Sequence, residues 1–108
     1  MTERHGNVVA GAAGSPSAEI TEVLARGRDL RIERIVSRGQ RSPDGFWYDQ
    51  EESEWVLLVR GAARLEFADG RTRELRAGDW VHLDPHERHR VAWTDPDQDT
   101  VWIAVFHA

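Results

Sequence analysis

Two stretches of this 108-residue chain concentrate the side chains able to do chemistry: GFWYDQEESEWVLLVRG at 45–61 and, 17 residues on, GDWVHLDPHERHRVAW at 78–93. The first places Asp49, Glu51, Glu52 and Glu54 within six residues. The second holds His82, His86 and His89. One imidazole with two carboxylates is an oxygen-rich donor set suited to a divalent ion of the Mn, Fe or Zn kind. Two imidazoles with one carboxylate would leave positions open for a substrate. The acidic loop also reads as a plain solvated turn; as the rim of a pocket it would gather cations and disfavour phosphate. His86 also reads as a loop residue, and Asp49 as a turn residue. His82, on the opposite face from Val81 and Leu83, reads as a surface or packing histidine, and His5 and His107 at the ends are assigned nothing.

Several chemistries are excluded. With no cysteine there is no disulfide, thiolate zinc site or cysteine nucleophile. No phosphate-cradling loop, nucleophile elbow or His-Glu-x-x-His helix is present. Fourteen basic residues against 19 acids give a net charge of −5, the wrong balance for a general nucleic-acid binder. No apolar run approaches the roughly 18 residues that span a bilayer. The expectation is a soluble, cytoplasmic domain with no membrane or nucleic-acid partner.

The elements that must position these residues are short. Residues 1–18 (MTERHGNVVAGAAGSPSA) are poor in bulky apolar side chains and read as a flexible N-terminal leader ahead of one domain at 19–108. The run 18–28 is open between a short helix and an edge segment. In 30–36, Leu30, Ile32 and Ile35 or Val36 alternate with Arg and Glu, the pattern of a half-buried strand. Further strands are expected near 55–59, 63–67, 72–75, 80–83, 89–93 and 101–106, separated by turns such as Ala68-Asp69-Gly70 and Ala77-Gly78-Asp79. This spacing predicts an all-β sandwich or barrel. Two strands are apolar on both faces: Val56 and Leu58 back Trp55, Leu57 and Val59, and Trp102, Ala104 and Phe106 back Val101, Ile103 and Val105. Their outer faces need a cover, either the chain's own termini or, as expected here, a second subunit in a homodimer.

The two stretches resemble the motifs of the cupin superfamily, in particular small single-domain bacterial cupins of uncharacterised function. Glu54 and Gly61 have the Glu-x6-Gly spacing that ends the family's first motif, and Gly78 with His89 eleven residues later matches the second. The resemblance covers about 30–107 and implies a double-stranded β-helix, the cupin jelly-roll barrel. It would make the strands of Glu54 and His89 neighbours, so that both side chains point into one cavity with Val56, Leu58, Val91 and Trp93 beside them. It further implies one divalent metal ion (Zn, Mn or Fe) held by Glu54 and His89 with Asp49 or His86 assisting, and a small-molecule ligand. Glu54 would be the catalytic base if the protein is an enzyme.

The departures are specific. Trp47 and Asp49 stand where the first motif has His-x-His, Asp84 and His86 where the second has Pro and Gly, and Trp93 where it has Asn. Trp47 and Trp93 would line the pocket or simply fill the cavity. Loss of both first-motif histidines keeps a second reading open, a metal-free ligand-binding or sensor cupin. Glu54 also reads as one half of a buried pair with an arginine such as Arg60 or Arg64.

Overall fold

Among the described residues, short apolar runs broken by turn residues every few positions fold into strands and no helix. The computed structural model describes residues 3–10 and 18–108; of the expected leader, 1–2 and 11–17 lie outside the described residues. The strands are β1 (Ile20–Gly27), β2 (Leu30–Ser37), β3 (Ser53–Arg60), β4 (Ala62–Phe67), β5 (Thr72–Arg76), β6 (Trp80–Leu83), β7 (His89–Thr94) and β8 (Thr100–His107). They form a five-stranded sheet in the order β1-β2-β8-β3-β6 and a three-stranded sheet in the order β5-β4-β7, every pairing antiparallel. This is the jelly-roll arrangement of two facing sheets.

The run 18–28 is an edge strand: β1 pairs with β2 and carries an irregularity between Val23 and Ala25 that twists the edge. In β3, Glu54, Val56 and Leu58 face inward opposite Phe106, Ala104 and Trp102 of β8. Leu58, Ala63 and Ala104 are wholly buried where the two sheets meet, and this end of the barrel is filled by side chains. The other end, at the start of β3 and β7, stays hollow.

In β2 the apolar alternation does not mark the inner face. Arg31, Glu33 and Ile35 stand opposite Phe106, Ala104 and Trp102, whereas Leu30 and Ile32 face outward. The inward charges are tolerated because they are paired at the barrel mouth. The Arg31 guanidinium lies 4.2 Å above the Phe106 ring and meets Glu33 at 2.7 Å and Glu52 at 3.4 Å.

The outer face of the five-stranded sheet is partly covered by the chain's own N-terminal segment. Arg34 faces outward yet is buried, because Nε donates to the Val8 carbonyl at 2.7 Å and Nη2 to the Ala10 carbonyl at 3.0 Å, with Glu22 pairing alongside. Over β3, β6 and β8 the face is more open: Trp55, Leu57, Ile103 and Val105 are half-buried, and Trp80 is 61% exposed.

Gly61 makes the one-residue turn between β3 and β4. Its φ is +95°, and a Cβ there would stand 2.6 Å from Thr100 Cα, so only glycine fits.

Candidate functional site

The hollow end of the barrel is a cavity of about 180 Å³. Its polar wall is Glu19, Thr21, Glu33, Tyr48, Gln50, Glu54 and His89, and its apolar wall includes Ile35, Leu65, Leu83, Val91, Trp102 and Phe106. Glu54 enters from the second position of β3 and His89 from the first position of β7, so alternation on two strands of opposite sheets aims both inward. Glu54 Oε1 and His89 Nε2 are 3.8 Å apart, and both side chains are nearly buried.

Local bonds fix each group. The His89 backbone is paired with Tyr48 in both directions, and the two rings stack with centroids 5.3 Å apart. His89 Nδ1 lies 2.8 Å from the Glu87 carbonyl oxygen. A carbonyl can only accept, so the ring proton sits on Nδ1 and Nε2 presents a lone pair to the cavity. Burial lowers the His89 pKa and outweighs the opposing effect of the bond to Glu87, which keeps the ring neutral. Glu54 Oε1 accepts a hydrogen bond from Gln50 Nε2 at 3.1 Å. Burial nevertheless raises its pKa to about 7, against the lowering effect of that bond. Burial likewise raises the Tyr48 pKa, helped by Glu19 and Glu54, so its hydroxyl stays protonated. The arrangement offers a lone pair and an exchangeable proton side by side, the makings of acid–base chemistry.

The other sequence-predicted residues lie elsewhere. Asp49 and His86 bond each other on the exposed rim, Oδ1 to Nδ1 at 2.7 Å. The cause is local: His86 adopts φ +62° in the turn after β6, and its N–H donates to the Gln50 carbonyl, which turns the ring toward Asp49. Trp93 faces out, because Leu65 pairs with Val91 but Arg64 with Trp93, and the extra residue Ala92 reverses the alternation. Trp47 also lies outside the cavity lining, with the guanidinium groups of Arg88 and Arg90 5.8 and 6.0 Å from its ring centre. Among the described residues no arginine forms an ion pair with Glu54, and Arg64 pairs with Glu74 instead.

The four-donor set of the family's metal motif is not assembled in this cavity. Among the described residues no three His, Asp or Glu side chains converge to hold an ion. The two donors that the family motif would add are replaced by Trp47 and by an Asp49 already bonded to His86. The cavity residues missed from sequence are Gln50, Glu33, Glu19 and Tyr48. A parity check on Glu33 against Ile35, two residues on, was the available signal.

Comparison with known proteins places this geometry. The family model described as Cupin domain matches residues 35–106. The crystal structure of a protein from Ralstonia eutropha JMP134, provisionally named mannose-6-phosphate isomerase, is 47% identical. It superposes with a TM-score of 0.93 over 97% of this chain and 98% of that one. A Cupin 2 conserved barrel domain protein from Salinispora arenicola CNS-205 is 22% identical, with TM-score 0.72 over 100% of this chain and 91% of that one. The polyketide cyclase RemF from Streptomyces resistomycificus is 21% identical, with TM-score 0.74 over 99% and 80%. These last two are likenesses of fold. Among curated proteins, none matches the sequence significantly.

Proposed function

The chain belongs to the cupin family, and from that premise we propose that it binds a small molecule in the barrel through an acid–base pair, Glu54 and His89, without a resident metal ion. The observation that supports this most directly is the facing of Glu54 Oε1 and His89 Nε2 across 3.8 Å, with Nδ1 committed to the Glu87 carbonyl. Neutral His89 accepts a proton at Nε2. Glu54, with a pKa of about 7, is present near neutrality in both forms and gives or takes one. A ligand lying against both can lose a proton at one atom and gain one at another, which is what an isomerisation or a tautomer-selective binding site needs.

The wall chemistry restricts the ligand. It carries the carboxyl groups of Glu19, Glu33 and Glu54 and no arginine, and all 14 basic residues of the chain are arginines. A phosphorylated sugar, the substrate class in the name of the Ralstonia relative, would bring a dianion to an acidic wall whose one neighbouring guanidinium, Arg31 at the mouth, is already paired with Glu33 and Glu52. A neutral or cationic polar compound suits the site. Ligand-observed NMR with mannose, mannose 6-phosphate, small amines and small carboxylates tests this. Binding confined to neutral or cationic probes, and lost in Glu54→Gln and His89→Gln, is the expected result. Phosphate-dependent binding, or binding indifferent to both substitutions, overturns it.

The same reading has two copies of the chain associating through the open part of the outer sheet face, where Trp55, Leu57, Trp80, Ile103 and Val105 form one apolar strip.

A further inference from the structure

The outer face of the five-stranded sheet carries an imidazole pair that the barrel site does not use. His82 of β6 and His107 of β8 flank β3 on its outward side, opposite Trp55 and Ser53 respectively. Strands two places apart are separated by roughly 10 Å. The rings nevertheless meet, because each leans over β3 beside the short Ser53 side chain. Their centroids are 5.5 Å apart, and the two Nε2 atoms are 3.4 Å apart.

The surroundings of the other two ring nitrogens favour protons there. His107 Nδ1 is 3.1 Å from the Ala108 carbonyl oxygen, an acceptor only, so its Nε2 presents a lone pair. His82 Nδ1 faces the Asp84 carboxylate at 3.6 Å. A carboxylate behind Nδ1 favours the proton on that atom and a lone pair on Nε2, the arrangement seen behind metal-bound histidines. Two lone pairs then converge on one point. Ligand nitrogens each roughly 2.1 Å from a tetrahedral ion stand about 3.4 Å apart, which is the separation observed here.

We propose that His82 and His107 form a surface site for a transition-metal ion that favours imidazole, zinc or copper(II), with water in the remaining positions. The site is separate from the cavity, since both rings lie on the opposite face of the sheet from Glu54. Trp55 shares that face and packs against Trp80 with ring centroids 6.2 Å apart, so copper(II) bound there would quench indole fluorescence.

The test is calorimetric titration of zinc ion into the full chain without an affinity tag, paired with copper(II) quenching. Saturable binding near one ion per chain is expected, weakened at least about tenfold in His82→Ala and in His107→Gln and kept in His89→Gln. His107→Gln retains hydrogen-bonding capacity beside the chain end, so it answers the question even if His82→Ala fails to fold. Absence of saturable binding would mean that one imidazole merely donates to the other, and overturns the proposal. Binding retained in His107→Gln overturns it too. Binding lost only in His89→Gln would place the ion in the barrel, and overturns both this proposal and the metal-free reading of the cavity.

Discussion

In the proposed function, Glu54 sets the chemistry of the cavity at the level of a single proton. Its folded pKa, about 7, lies above its ordinary value of 4.5, so the folded state holds the extra proton between those two points. That group's contribution to stability is fully present below pH 4.5 and is lost as pH rises through about 7. Glu54→Gln removes the dependence. The variant should gain stability over the native chain by up to about 3 kcal/mol between acid and neutral pH, measured by urea unfolding at several pH values. A difference that does not change with pH would show that the carboxyl is not desolvated. His89 acts in the opposite sense: its pKa is lowered, so its contribution is lost as pH falls through the imidazole range. Nitrogen NMR of the imidazoles should find His89 neutral at pH 7 with its proton on Nδ1. A protonated ring, or the other tautomer, would remove the acceptor from the cavity. Both residues were legible in the sequence, through motif spacing alone. Gln50 and Glu33 were not, because an amide in an acidic loop and a charge in a strand look like solvent-facing residues until their neighbours are placed.

At the level of the strands, turn chemistry and period two gave the element boundaries, and irregularities hid the rest. The bulge at Ala92 turns Trp93 away from the cavity, and no local pattern announces such an insertion before its partner strand is known. Asp49 and His86 were misplaced for a related reason: the backbone of the 84–87 turn, not its side-chain chemistry, decides where the ring points. Gly61, by contrast, is legible on both grounds, as a motif position and as a turn. Gly61→Ala should cost about 3 kcal/mol or more, from a strained φ and the collision with Thr100. A loss below about 1 kcal/mol in chemical denaturation would mean that β3 and β4 can separate there without strain.

At the level of the whole molecule, the apolar outer faces of β3 and β8 call for a cover, and the chain's own N-terminal segment lies instead over the neighbouring β1 and β2. The segment at 3–10 reaches Arg34 through two backbone carbonyls, which composition alone does not reveal. Deleting residues 1–10 would expose a guanidinium now buried and should lower stability by about 1–2 kcal/mol. Unchanged unfolding would show the contact to be idle. The uncovered part predicts association: sedimentation should show two chains together, and Trp80→Glu should separate them while leaving the circular dichroism intact. A single-chain mass at every concentration would rule the pairing out.

One property of the hollow end reaches into how any guest would enter it. Near neutrality the Glu54 carboxyl, its pKa raised by burial to about 7, exchanges between its protonated and ionised forms. A guest that prefers one of the two forms must draw hydrogen ions from the surrounding buffer or release them to it. The heat of uptake would then vary with the ionisation enthalpy of the buffer, and the slope of that variation counts the ions exchanged per guest.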